Sequence, residues 1–332
     1  MKRQTIAGAA ALLLLVLASV WNTAVRGNVL QAGERCLTVL IPSLFFYSML
    51  AAFCIRSGGL RAVSRLFGKS GLLWGVFLFS QIGGYPVGAQ LLHELVSTGE
   101  LDTKQAKRLQ CICFGCGPGF LLGTVCRGFP LKLSLWVMLS VMLPHLLLAP
   151  FLLRGTGQRE TLPQTLPLAQ QLTQAAESAA DAMLKVTAMI LAFAAVMGIL
   201  DGMGVFSALP AHAAAVLRSC LEVSSVTELR TSGGSLPMAA ACLSFGGLCV
   251  HLQLAAINGG SLDWVRFWLL RLAASVMTYA VCAVGVRYLF RGIVPVFLPA
   301  AEPALTTGSV LPGACLLVMS VMLLRRSDRS SG

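Results

Sequence analysis

A chain of 332 residues with 56% hydrophobic residues, 11% charged residues and a mean hydropathy of +0.79 lies far from soluble domains, where about 25% of residues are charged. That composition excludes a separate soluble domain and points to an all-α polytopic transmembrane protein. The net charge of +12 is scattered over the connections between apolar runs, so it bears on membrane orientation and offers no basic face to nucleic acid.

In chain order, Lys2 and Arg3 precede the apolar run Ile6–Trp21. No small-residue cleavage site follows and further spans do, so residues 1–28 are expected to hold a retained first transmembrane helix. Arg26, Glu34 and Arg35 suggest a short loop. Cys36–Ile55 is uncharged and long enough to span; Arg56, Arg61, Arg65 and Lys69 then form the densest basic connection, expected on the cytoplasmic side.

Gly71–His93 is again uncharged and long enough to cross a bilayer, for which about 20 apolar residues suffice. Its middle is unfit for one continuous helix. Gly83 and Gly84 lower helix propensity, and Pro86 cannot donate a backbone bond but suits the first turn of a new helix. Two half-helices over about 72–82 and 86–97 are predicted, each about half a bilayer core long at about 1.5 Å per residue. A break there is tolerable only inside protein or beside a water-filled cavity, and such breaks build transporter substrate sites. A packing kink without a ligand is the alternative.

Thr98-Gly99-Glu100-Leu101-Asp102 stops one helix, and Asp102 or Thr103 can cap the next. Leu109–Cys126 carries a second break at Gly115-Cys116-Gly117-Pro118-Gly119, with proline again placed to start a helix. Leu133–Leu153 reads as a span that Pro144 and Pro150 bend or end. A linker, 154–178, leads through an amphipathic approach to the apolar segment Met183–Leu200. Ala211–Leu217 reads as a short helix and Cys220–Leu229 as a broken or re-entrant segment. Thr231–Leu262 has no charged residue and is divided at Ser232-Gly233-Gly234-Ser235, Gly246-Gly247 and Asn258-Gly259-Gly260. Leu262–Phe290 and Pro312–Leu324 complete the spans, and Arg325, Arg326 and Arg329 close a basic tail.

The chain also matches itself. Gly83-Gly84-Tyr85-Pro86-Val87-Gly88-Ala89-Gln90-Leu91 lines up with Gly246-Gly247-Leu248-Cys249-Val250-His251-Leu252-Gln253-Leu254, sharing both glycines, Val, Gln and Leu. Cys36–Ile55 and Met183–Leu200 correspond in front of them. Two related halves follow, 29–153 and 179–290, with 291–332 a terminal helix and tail; inverted and parallel arrangements both stand open.

Gly-Gly-Tyr-Pro-Val-Gly-Ala at 83–89, Gly99-Glu100-Leu101, Cys116-Gly117-Pro118-Gly119-Phe120, Leu221-Glu222-Val223 and Phe245–Gln253 occur in an order that resembles the sporulation integral membrane proteins of endospore-forming Firmicutes, which carry the nucleoside-recognition or gate domain. The resemblance covers about residues 30–290. It implies a likeness to concentrative nucleoside transporters, a bacterial cell membrane or forespore membrane, and movement of dipicolinate during sporulation.

Among candidate chemistries, Glu222 stands out, since intramembrane carboxylates are usually functional. It could hold a coupling cation or proton or bind substrate, with Ser225 nearby; pairing with Arg218 or Arg230 is the structural alternative. Gln90, His251 and Gln253 follow the glycine breaks, where helix N-termini favour a small polar or anionic ligand; for His251 an interhelical hydrogen bond is the alternative. Gly83, Gly84, Tyr85, Pro86, Gly117, Pro118, Gly246 and Gly247 complete the expected substrate site. Cys111, Cys113 and Cys116 form C-x-C-x-x-C without a second motif, so they read as small buried hydrophobes and no metal is expected. No zincin, nucleophile-elbow or P-loop pattern is present, and no enzyme is expected. The reading is a carrier for a small anionic or aromatic-heterocyclic solute, with a nucleoside carrier or a non-transporting spore assembly factor as alternatives. Its partners are the solute and the lipid bilayer; a homo-oligomer stays open.

Overall fold

The computed structural model describes residues 2–60, 71–153, 166–260 and 262–290. The basic residues Arg61, Arg65 and Lys69, most of the linker, and the terminal helix and tail lie outside the described residues. Regular structure among the described residues is helical. Four helices are long and apolar enough to cross a membrane, or five if the bent pair at the N-terminus counts as one span, so this is an integral membrane protein.

Helix α1 (Lys2–Val20) turns by 98° into α2 (Asn22–Arg35). The loop expected at Arg26–Arg35 is therefore a helix. Charge alone does not break a helix, and Asn28 gives the polar segment a partner by donating to Asp201 at 3.0 Å. A π turn (Cys36–Leu40) carries α2 into α3 (Ile41–Arg56), where Pro42 sits in the tolerant first turn.

The glycine-proline stretch then folds back on itself. α4 (Gly71–Gly83) and α5 (Tyr85–Ser97) meet at Gly84, whose φ of +89° suits glycine, and Pro86 opens α5. A β carbon placed on Gly88 would stand 2.9 Å from that of Ser80. Residues eight apart along one helix are separated by about 12 Å, so this is a tight hairpin. α6 (Thr103–Gln110) starts on an Asp102 capping box closed by Gln105. The chain turns at 111–113, passes without regular structure through 114–117, where Gly117 has φ +70°, and restarts as α7 (Pro118–Phe120), prolonged by a π turn through Val125. α8 (Leu131–Leu152) contains both Pro144 and Pro150, so neither ends it.

The second half repeats this order. The amphipathic approach and the apolar segment are one 35-residue helix, α9 (Leu168–Gly202). α10 (Ala211–Leu221) and a 3-10 helix (Val223–Arg230) form a second hairpin around extended Glu222; Arg218 and Glu228 pair across it at 3.6 Å. α11 (Leu236–Phe245) and α12 (Gly247–Ile257) make a span interrupted by Gly246 and Gly247, with φ of +86° and +73°. α13 (Trp264–Tyr288) ends the described chain apart from its C-terminal turn. Each half is thus a long helical run, a hairpin, a broken helix and a continuous span.

This order corrects the pairing drawn from sequence. Gly83-Gly84 stands at a hairpin tip and corresponds to Glu222, whereas Gly246-Gly247 corresponds to the break at Gly117-Pro118. Glycine pairs recur wherever a buried chain breaks or reverses, so their match was one element out of step. The arrangement of the halves follows from two helix pairs. The run α2–α3 and its counterpart α9 lie antiparallel: Gly202 packs on Trp21, Gly33 on Leu191, and Arg56 binds Gln174 at 2.7 Å. The small residues Gly198 and Gly202 allow that close approach. α8 and α13 are antiparallel as well, with Trp136 against Gly285 and His145 bonded to Arg271. Equivalent helices that run in opposite directions make the two halves an inverted repeat.

Candidate functional site

Both hairpin tips press against the break of the span that follows them. A β carbon on Gly117 would lie 3.1 Å from the Gly84 backbone, and one on Gly247 would lie 3.0 Å from the Val223 amide and 3.1 Å from the Ser219 carbonyl. Residues 111–117 are held from the side. Gln81 donates to the carbonyls of Ile112 (3.1 Å) and Phe114 (3.3 Å), and Gln110 donates to that of Cys113 while accepting from Asn258.

Between the two tips lies a partly open cavity with about 500 Å³ of empty space, open solvent included. Tyr85, Pro86, Glu222, Ser224, Val250 and Gln253 line it with Leu40, Leu44, Cys116, Phe120, Val223, Val186 and Ile190. Both halves contribute, as an inverted repeat requires.

Glu222 is buried and reaches this cavity. It caps the 3-10 helix, accepting from the Ser224 amide at 3.0 and 3.1 Å and from the Ser224 hydroxyl. Arg218 instead pairs with Asp201 and Glu228, and Arg230 donates to the carbonyls of Val125 and Arg127. Among the described residues no ion pair reaches Glu222. The nearest basic group along its hydrogen bonds is Arg35, 3.5 Å from the Ser224 hydroxyl.

The other expected residues divide. Tyr85 and Pro86 open α5 toward the cavity, but the Tyr85 hydroxyl turns away to donate to the Leu243 carbonyl at 2.6 Å, its ring resting on Phe114. Gln253 lines the cavity and donates to the Cys249 sulfur at 3.1 Å. Ser224 takes the place expected of Ser225, which is buried away from the cavity. Gly83, Gly84, Gly246 and Gly247 shape the tips and breaks without lining the cavity, while Gly117 and Pro118 line a smaller one beside Gln81. His251 is also absent from the lining. Its ring packs among Phe245, Phe267 and Phe114 and bonds the Phe245 carbonyl at 2.8 Å, so it joins helices as the alternative held. Gln90 lies one turn beyond Pro86 and donates to Ser178 at 3.1 Å.

Two further buried ionisable groups were not among the expected site residues. Arg271 is wholly buried: it donates to the carbonyls of Cys111 and Ser244, bonds His145 at 2.7 Å and lies 4.3 Å above Phe114. It thus ties the first halves of both broken spans, where helix C-termini favour a cation. Glu94, buried in the last turn of the first hairpin, pairs with Arg56 at 2.8 Å. An ionisable residue inside an apolar run was the available signal for both. Compared with family models, curated proteins and solved structures, the chain matches none.

Proposed function

We propose that the protein is a membrane carrier that moves a small carboxylate-bearing solute through the cavity between its two hairpin tips. The observation that carries this reading is a buried carboxylate, Glu222, facing a cavity without an ion pair. The N-terminus of α5 also opens there at Tyr85 and Pro86. That terminus supplies about half a unit of positive charge to an anion. Glu222 supplies the opposite field, since two like charges about 5 Å apart repel by about 3 kcal/mol at an effective dielectric constant of about 20. Entry of an anion therefore requires Glu222 to take up a proton or a coupling cation, which couples flux to that ion. Dipicolinate, in a forespore membrane, is the solute that the family resemblance adds.

Flux from proteoliposomes containing the purified protein tests the reading. Dipicolinate movement above empty liposomes, faster at lower pH or with a cation gradient, supports it. Absence of flux favours an assembly role, and chemical conversion of the solute an enzyme. A nucleoside carrier is the second reading. It is favoured by the absence of a basic side chain among the described lining residues and by the carboxylate and amide that would bond a neutral sugar or base. Competition between dipicolinate and uridine at matched concentration separates the two.

A further inference from the structure

One polar seam leaves the cavity and follows the first hairpin to its base. Pro86, Gln90 and Glu94 stand four residues apart on α5 and so share a helix face. They face a matching row on α9, where Val186 and Ile190 line the cavity and Ser178 and Gln174 lie toward the helix start. The hydrogen bonds form a single chain. Gln90 donates to the Ser178 hydroxyl (3.1 Å), Ser178 donates to Glu94 (2.9 Å), and Arg56 donates to both Glu94 oxygens (2.8 Å each) and to Gln174 (2.7 Å).

Two features suit this chain to opening. The Gln90 amide oxygen is buried without a partner, as is the Arg56 Nε, so the closed arrangement leaves polar atoms unsatisfied. The ion pair joins a Glu94 side chain only 5% exposed to an Arg56 side chain 22% exposed. Removing such charges from water consumes most of what their attraction returns, so the pair adds little stability over an apolar contact. It binds the first hairpin to α3 and, through Ser178 and Gln174, to α9 of the other half.

We propose that the Arg56–Glu94 pair latches the route from the cavity to the face bearing Arg56, and that Arg56, when Glu94 releases it, receives the carboxylate of the solute. The solute class rests on the carrier reading above; the latch does not. Among the described residues of this seam Arg56 is the one cation, so a carboxylate passing along it meets Arg56 as its charge partner.

Cys116 lines the cavity and reports on access to it. The full-length protein in proteoliposomes is treated from each side with a membrane-impermeant charged thiol reagent, and modification of Cys116 is followed by peptide mass spectrometry. Glu94→Gln should raise its rate about tenfold from the side bearing Arg56 and leave the other side unchanged. The charge exchange Arg56→Glu with Glu94→Arg should return the rate to that of the unaltered protein. Dipicolinate should protect Cys116 in Glu94→Gln and lose most of that protection when Arg56→Gln is added. A Glu94→Gln protein that is folded by thermal melting yet labelled at the unaltered rate overturns the latch. Equal protection with and without Arg56 overturns its role toward the solute. Side-specific labelling without flux in the unaltered protein would leave the latch standing and remove the carrier reading.

Discussion

At Gly83-Gly84-Tyr85-Pro86 the first hairpin turns on a glycine with positive φ and restarts on proline; at Leu221-Glu222-Val223 the second turns on an extended glutamate that caps a 3-10 helix with its own carboxylate. Both tips face the cavity from equivalent places in inverted halves. The first leaves a helix N-terminus open to a ligand, whereas the second fills its N-terminus with Glu222. The halves are therefore alike in backbone and unlike in charge. On the carrier reading proposed above, one tip would attract an anion and the other would have to be neutralised before an anion enters, dividing binding from coupling between two copies of one fold.

The largest effect is expected at Arg271, which serves both halves at once. Arg271→Met leaves the Cys111 and Ser244 carbonyls and His145 without their partner. Each orphaned buried group costs about 1–3 kcal/mol, so a loss of about 3 kcal/mol or more is expected. A fall in melting temperature no greater than for a surface variant would show that the two broken spans do not depend on this tie.

Next come the glycines at which the comparison is sharpest. An added β carbon at Gly247 would meet backbone atoms at 3.0 and 3.1 Å, whereas at Gly84 its nearest neighbour is the end of the Leu44 side chain at 3.2 Å. Both have positive φ, and Gly84 with ψ of 175° lies in a region nearly confined to glycine, so each replacement carries about 1–3 kcal/mol of backbone strain. Overpacking adds about 1–3 kcal/mol where the neighbour cannot yield. Gly247→Ala should therefore lower stability more than Gly84→Ala, and Gly84→Leu should stop flux in a protein that still folds. Equal thermal losses for the two alanine variants would mean that the breaks are not packed differently.

Much of this architecture was legible in the chain, for reasons that differ by element. The helix ends at Gly83, Pro86, Asp102, Pro118 and Gly246 follow from backbone chemistry that acts locally, and these were read to within a residue or two. Direction was not legible: Gly83-Gly84 and Gly246-Gly247 look alike, but one reverses the chain and the other interrupts a span. What decides between them is packing, Gly88 on Ser80 in the first case and Gly247 on the Ser219–Val223 backbone in the second. In the site, Glu222 was visible because a carboxylate in an apolar region is rare. The exchange of Ser225 for Ser224, and the turning of His251 into an aromatic cluster, depend on the 3-10 turn and on Phe267 from another helix.

A smaller effect on stability, and a larger one on coupling, is expected at Glu222. Glu222→Gln keeps an oxygen that can accept from the Ser224 amide, so its stability should fall by no more than about 1 kcal/mol, while Glu222→Ala also loses the cap. If anion entry requires neutralisation of this carboxylate, flux in the unaltered protein falls as pH rises or as the coupling cation is removed. Glu222→Gln should remove that dependence. Retained dependence in the glutamine variant, measured at the same solute concentration, would sink the role of Glu222.

The smallest effects belong to the thiols beside the first break. Cys111, Cys113 and Cys116 are buried, the first two in a turn and the third in the irregular stretch before Gly117. Cys111 reaches the Lys107 carbonyl at 3.7 Å, and Cys116 lines the cavity. As small apolar side chains they contribute by filling space, so replacing one by alanine removes a single sulfur and leaves a void smaller than a methylene pair. About 1 kcal/mol or less is expected for each. Cys116→Ala should be the mildest for stability, because its sulfur borders space already open. It should still alter flux slightly, by widening the cavity opposite Glu222. Elemental analysis of the purified protein checks the same point from another side. One equivalent of zinc or iron per chain, lost in Cys116→Ala together with several kcal/mol of stability, would show that these thiols hold a metal and that the first break is built differently from the second.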